Sequence, residues 1–298
     1  MSPIVLFCFK RINKLKMCIN SLKACQESTD SDLIIFSDAG RTIEENILVD
    51  EIRVYLKEIQ GFKSIQIHNR LKNFGVDYNI IEGIKEISKL HEHFIIIEDD
   101  LQVTNQFLSF MNSGLSHFKD FQKILTLSGY NFIKTPDNYI WDCYFAKRTN
   151  PWGWATWSHK IKDVDWNFAE TENFLTNLQE NKDFNLWGSD RSRMLRRTLL
   201  GEIRAWDIRL DYYQFKMNLI TAYSCKNLVI NNGFNDLDAS NTTGYNRFKV
   251  NLEFFNYSNL KFPDLIVINP IIKWRFIFRN SLVNRIITFT FKFLNINN

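Results

Sequence analysis

Ile97-Glu98-Asp99-Asp100-Leu101 sets three carboxylates side by side where the apolar run Phe94 to Ile97 ends. Adjacent like charges repel and Asp is a weak strand former, so such a run leaving a buried strand needs something to neutralise it. A hard divalent cation takes oxygen ligands of this kind, and Mg²⁺ or Mn²⁺ is typically held by one or two carboxylates together with substrate phosphates. The chemistry indicated is that of a nucleotide-bound donor. A solvated acidic turn is the plainer alternative, because short acidic runs commonly face water.

The elements around this run decide between the two. The first half alternates short apolar runs with helical periods, which predicts an α/β fold with a mostly parallel sheet and helices on its faces. Ile4 to Phe9 reads as a first strand, and Ile12, Leu15, Ile19 and Leu22 recur after it at helical spacing. Leu33 to Phe36 reads as a second strand, with an amphipathic stretch through Ile47 and Ile59 behind it. Ser64 to His68 is a third strand, Ile80 to Leu90 a helix, Phe94 to Ile97 a fourth strand and Ile124 to Leu127 another. Thr104 is placed to cap the helix that carries Phe107, Leu108, Met111 and Leu115. Ligands of such folds bind beyond the carboxyl ends of the strands. Lys10-Arg11, Ser37-Asp38-Ala39-Gly40, His68-Asn69-Arg70 and Glu98-Asp99-Asp100 stand at four such ends and make one site.

Composition limits the alternatives. The 298 residues are 45% hydrophobic and 23% charged, a globular balance that excludes a disordered chain. The net charge of +4 is concentrated at the end: after Asp264 come five bases (Lys273, Arg275, Arg279, Arg285, Lys292) and no acid. Without them the body is nearly neutral, which argues against a nucleic-acid partner. The five cysteines lack C-x-x-C spacing and sit in apolar segments, as core thiols of a reducing compartment do. No basic n-region opens the chain and no apolar run is long enough to span a bilayer, so the expectation is a cytoplasmic protein. From about residue 135 the texture turns Trp-rich, with Trp141, Trp152, Trp154, Trp157, Trp166, Trp187 and Trp206. Those rings suit a wall on which a sugar or base stacks, and equally a hydrophobic subdomain packed on the sheet.

A strand ending in Asp38, then Asn73-Phe74-Gly75 before a helix, then Ile97 to Leu101, then Pro151-Trp152-Gly153-Trp154-Ala155-Thr156-Trp157, then Trp206-Asp207 and Asn232-Gly233-Phe234 form an ordered set. Over roughly residues 3 to 245 this order resembles GT-A-fold glycosyltransferases. It is similar to bacterial family-2-like sugar transferases and to the enzyme that places the first antennary N-acetylglucosamine on N-glycans. The resemblance implies one GT-A domain over residues 1–269, with a nucleotide-sugar half (1–134) and a Trp-rich acceptor and catalytic half (135–269), followed by a basic aromatic tail (270–298). It implies a metal-dependent, inverting hexosyl- or N-acetylhexosaminyltransferase of bacterial surface polysaccharide or glycoconjugate synthesis. The donor would be a UDP-sugar, the acceptor a hydroxyl of a glycan or lipid-linked molecule, and the cofactor Mn²⁺ or Mg²⁺.

Carried over residue by residue, Asp38 with Asn73 would bind the base or ribose and Asp99 the ribose or a metal-bound water. Asp100 would ligate the metal bridging the diphosphate, with Asp99 beside it, while Glu98 supports the loop. Gly153 and Trp154 belong to the segment that shapes the donor-sugar pocket, where glycine permits close backbone approach. Trp206-Asp207 matches the segment that supplies the catalytic carboxylate. Asp207 is then the general base, with Asp211 as the alternative because it lies i+4 on a helix through Leu210, Tyr213 and Met217. A cap or a salt bridge to Arg204 or Arg209 is the structural alternative for Asp207. Relatives often carry a histidine after the Asn-Gly-Phe segment, whereas this chain has Asn241 there, which leaves the metal to Asp100, donor and water, or to help from Asp236 or Asp238. None of His68, His91, His93, His117 and His159 has ligand spacing.

The stretch Pro270 to Phe293 mixes the five bases with Trp274, Phe276, Phe278, Phe289, Phe291 and Phe293, a composition suited to interfacial anchoring on the inner face of the cytoplasmic membrane. Read as one helix its apolar residues run all round, so docking on the catalytic domain is the competing expectation. Among other functions, a sugar-phosphate nucleotidyltransferase would want a Gly-rich basic loop where Phe9-Lys10-Arg11-Ile12-Asn13 stands, and a P-loop motif is absent. A glycoside hydrolase would use two carboxylates without needing Asp38 and Asn73. A catalytically inactive glycan-binding protein on the same fold is the non-enzymatic alternative.

Overall fold

The computed structural model describes residues 1–168, 172–233, 250–254 and 259–293. The chain runs β1 (Ile4–Cys8), α1 (Ile12–Lys23), β2 (Asp32–Ser37), α2 (Ile43–Leu56), β3 (Ser64–Asn69), α3 (Gly75–Ser88) and β4 (His93–Glu98). It continues through β5 (Leu101–Val103), α4 (Phe107–His117), β6 (Ile124–Ser128), β7 (Cys143–Ala146) and β8 (Trp154–Trp157). Helices α5 (Ser158–Ile161), α6 (Glu172–Thr176), α7 (Leu178–Phe184), α8 (Arg191–Leu199) and α9 (Asp207–Lys216) follow, then β9 (Ile220–Ser224), β10 (Val229–Asn231), α10 (Pro270–Arg279) and α11 (Leu282–Phe293).

Eight strands form one mostly parallel α/β sheet in the order β3-β2-β1-β4-β8-β6-β9-β7, with β8 and β7 antiparallel to their neighbours. The inner strands are continuous apolar runs because both faces are covered. Their two-residue period sends Ile4, Leu6, Ile35 and Ile97 to a core shared with α1, α2 and α4. Val5, Phe7, Phe36 and Ile96 face α3 and α9 on the other side. Each such fully buried apolar side chain contributes roughly 1.5–3 kcal/mol by leaving water.

Three local expectations change. In α2 the buried stripe is Val49, Ile52 and Leu56, at i, i+3 and i+7, while Ile47 faces solvent. Thr104 does not cap α4: its hydroxyl makes no hydrogen bond among the described residues, and only its carbonyl accepts, from the Phe107 amide at 3.1 Å. The tail is not one helix either, since it breaks at Asn280-Ser281 into α10 and α11.

Candidate active site

Chain order reverses between β1 and β4: β1 is followed through α1 by its neighbour β2 on one side, whereas β3 crosses back over β1 to reach β4 on the other. A crevice opens beyond the carboxyl ends of strands at such a switch point. Phe9-Lys10-Arg11 leaves β1 and Glu98-Asp99-Asp100 leaves β4 into one cavity of about 680 Å³. That volume falls in the range of small-molecule sites, about 300–1,000 Å³. The antiparallel register Ile96 to Trp154 places the start of β8, and hence Pro151-Trp152, at the same end of the sheet.

A residue of this chain counters part of the charge of the acidic run. Arg11 donates through one guanidinium nitrogen to Asp99 and through another to Asp100 Oδ2 at 2.9 Å. Burial works against the Arg11 charge, and the two aspartates outweigh it. Asp99 is only 2% exposed and its second oxygen accepts from the Phe9 amide at 3.2 Å. Asp99, expected on ribose or metal, here has both oxygens engaged in tying β1 to β4. Burial, with the charge of Asp100 added, pushes the Glu98 carboxyl well above the usual range.

Asp100 sits where β5 pairs with β10: its carbonyl accepts from the Asn232 amide at 2.9 Å. A Cβ at Gly233 would lie 2.1 Å from Asp100 Oδ2, so a side chain there must displace the Asp100 carboxylate. Phe234, Asp236, Asp238 and Asn241 lie outside the described residues. Among the described residues no set of three His, Cys, Asp or Glu side chains is gathered as metal ligands. The donor chemistry is nonetheless suitable for a hard cation, because Asp100 lines the cavity and Mg²⁺ or Mn²⁺ needs only one or two carboxylates when a diphosphate supplies the rest.

Asp38 follows β2 and lines the cavity, yet its carboxylate is largely spent on shaping the loop. It accepts from the amides of Ala39 (2.9 Å), Phe74 (2.8 Å) and Gly75 (2.9 Å) and from Asn73 Nδ2 (3.3 Å). Asn73 also donates to the Ala39 carbonyl at 2.7 Å. Gly75 has φ +72° at the start of α3, a left-handed turn that glycine adopts without strain. Asp38 thus holds the first turn of α3 against β2. His68-Asn69-Arg70, by contrast, stays outside: Arg70 bonds Asn79 and Glu86 and stacks on Phe36 and Phe74.

Asp207 and Asp211 share a face of α9 but not a state. Arg191, 1% exposed, grips Asp211 through Nε (2.7 Å) and a terminal nitrogen (2.9 Å), and the Thr149 amide donates to Asp211 Oδ1 at 2.8 Å. Asp211, the alternative base, here anchors α8, α9 and the loop before β8 to one another. Asp207 begins α9 on the cavity wall. Arg209 bonds Asp77 at 3.2 Å and so is committed elsewhere. Burial first, then repulsion from Asp211, pushes the Asp207 carboxyl up to about 7 against the pull of Arg148.

The Trp-rich segment divides the same way. Gly153, with φ +60°, packs so that a Cβ would meet Val229 at 2.8 Å and Phe107 at 3.0 Å, and Trp154 is buried in the core against Trp206. Neither lines the cavity, where both were expected to shape the donor pocket; Trp152 and Trp206 line it instead. Trp157, Trp166 and Trp187 are core. Sequence reasoning missed Arg148, which lines the cavity and pairs with Asp190 at 2.8 Å. Its signal was present as a base just before the Pro151 loop. Tyr130 and Phe132, which line the wall beside Trp152, carried none.

No protein-family model and no curated protein matches this chain. Solved structures similar in backbone include S. aureus TarS 1-349 (12% identity over 78% of this chain and 61% of that one, TM-score 0.47). Its complex with UDP-GlcNAc gives 11%, 77%, 58% and 0.46. This chain thus spans about six-tenths of their length. The mannosyltransferase PcManGT from Pyrobaculum calidifontis, in complex with GDP-Man and Mn2+, is 9% identical over 55% of this chain and 47% of that one, with a TM-score of 0.37. Mouse Xyloside xylosyltransferase 1 is 9% identical over 73% and 82%, with a TM-score of 0.39.

Proposed function

We propose that this protein is a GT-A-type glycosyltransferase that moves a sugar from a nucleotide-sugar donor to an acceptor hydroxyl with inversion. The observation that carries the reading is Asp207: a carboxylate with its pKa raised to about 7 on the wall of the cavity into which Arg11 and Asp100 project. A general base works best when its pKa lies near the working pH.

Arg11, Asn73 and the backbone of the Asp38 loop form the nucleotide side. The rings of Phe132 and Trp152, backed by the buried Tyr130, offer the acceptor an apolar face. Asp207 accepts the acceptor hydroxyl proton while that oxygen forms its bond to the anomeric carbon. The bond from that carbon to the diphosphate oxygen breaks, the electron pair leaves with the nucleoside diphosphate, and Asp207 later returns the proton to solvent. One displacement inverts the configuration. Asp100 would hold Mn²⁺ or Mg²⁺, and the cation supplies neutralisation of the leaving diphosphate there. Arg11 brings a second positive charge to the same end of the cavity.

A thermal-stability screen of nucleotide sugars with Mn²⁺, Mg²⁺ and chelator tests this, because a ligand at a hundred times its Kd stabilises by about 2.7 kcal/mol. A UDP-sugar is expected to stand out, and proton NMR of the transfer product is expected to show the anomeric configuration opposite to the donor's. No stabilisation by any nucleotide sugar, or a retained configuration, overturns the reading.

A further inference from the structure

Helix α10 packs inward through Ile272 and Phe276, which lie with Tyr144 and Tyr223 on the outer side of the sheet. Its opposite face carries Ile271, Trp274 and Phe278 at i, i+3 and i+7, all exposed. Trp274 is 65% exposed and stacks on Phe278 with ring centres 5.7 Å apart. Helix α11 is inverted relative to an ordinary surface helix. Its polar Asn284 is buried and bonds the Arg279 carbonyl at 2.9 Å, and Arg285 reaches inward to Ser189. Leu282, Val283 and Ile286 point out, exposed by 58, 57 and 55%. A surface helix normally turns its apolar stripe to the core. Apolar side chains that continue outward from α10 onto α11 imply an apolar contact.

The charge around this face selects the contact. From Leu265 to the end of the chain there are five bases and no acid. Lys134, Arg275 and Arg279 line a groove of about 230 Å³ together with Trp274 and Phe278, so cations and rings share one recess. A second copy of this chain would set like charges against each other across the interface. A sheet of anionic headgroups above hydrocarbon matches both parts: phosphates for the bases, and the interfacial layer for the indole and phenyl rings. No helix among the described residues is long and apolar enough to cross a membrane, so the contact is with the surface.

We propose that the outward faces of α10 and α11 dock on an anionic phospholipid bilayer, with lipid phosphate in the groove of Lys134, Arg275 and Arg279. Asn280, between the two helices, lines the 680 Å³ cavity, so the docking face adjoins one wall of that cavity. The surface stands independently of the catalytic reading, and its test does not require activity.

The full chain is sedimented with vesicles of phosphatidylcholine alone and with vesicles that also contain phosphatidylglycerol. Binding is expected only to the anionic vesicles and is expected to fall as salt is raised. The double substitution Trp274→Ala with Phe278→Ala is expected to lower partitioning at least roughly tenfold, because two large apolar side chains no longer enter the interface. Its melting temperature should match the wild type, since both rings lie outside the packed core. Lys273→Glu should weaken anionic binding without affecting folding. Failure of the wild type to bind, equal binding to neutral vesicles, or full binding by the double variant overturns the proposal. A concentration-dependent dimer that Leu282→Asp abolishes, without vesicle binding, assigns the face to a second copy instead.

Discussion

Replacing Asp207 by Asn separates what the carboxylate does for the reaction from what it costs the fold. Burial and the neighbouring Asp211 move its pKa from 3.8 to about 7. Such a displacement corresponds to roughly 4 kcal/mol against the ionised form in the folded chain. Water entering the cavity screens part of this, so a net gain of about 1–3 kcal/mol is the reasonable expectation for Asp207→Asn at alkaline pH. The sign follows from linkage. The unfolded chain ionises this group near 3.9 and the folded chain only at about 7, so its contribution is full below about pH 4, declines as pH rises, and is lost above about pH 7. Asn carries no charge at any pH, and the advantage of the variant must therefore grow across the same window. Urea unfolding of both proteins at several pH values measures it, and transfer kinetics measured alongside should show a loss of roughly 10²–10⁴-fold. An advantage that is constant or shrinks toward alkaline pH refutes the burial argument. A transfer rate near that of the wild type removes Asp207 as base.

Three further substitutions probe its surroundings. Asp211→Asn leaves the Arg191 guanidinium buried without its carboxylate and should cost about 3–5 kcal/mol in urea unfolding; a loss under 1 kcal/mol would show that Arg191 finds another partner. Asp100→Ala should abolish the Mn²⁺-dependent part of UDP binding in calorimetry, and Gly233→Ala should do much the same, because its Cβ would fall 2.1 Å from Asp100 Oδ2. Unchanged metal dependence in both would place the cation elsewhere.

The inner parallel strands were legible because they are buried on both faces and so appear as unbroken apolar runs, as in Ile4 to Phe7 and Phe94 to Ile97. The strands β7, β8 and β9 were not. Cys143–Ala146 and Trp154–Trp157 are four residues each, too short to show a period, and they are fixed by distant partners: His93 pairs with Trp157, and Tyr144 with Tyr223. The tail misled for a related reason. Treated as a single helix its apolar residues have no common face, and only the break at Asn280-Ser281 lets Trp274 and Ile286 both point outward.

At the site, position was legible and state was not. Arg11, Asp38, Asp99 and Asp100 follow directly from where strands end, which is local information. Which carboxylate remains available is decided by partners far along the chain. Asp207 and Asp211 are the same residue type one helical turn apart, and nothing near them in sequence tells them apart. Arg191 and the Thr149 amide do, by holding both oxygens of Asp211. The residual field of that anchored carboxylate then helps raise Asp207. One carboxylate of the pair is spent on Arg191, whereas the other is left on the cavity wall with its pKa raised to about 7, near the working range of a general base. The two aspartates are therefore not competitors for one role: burying the first with its arginine is part of what makes the second suitable as a base.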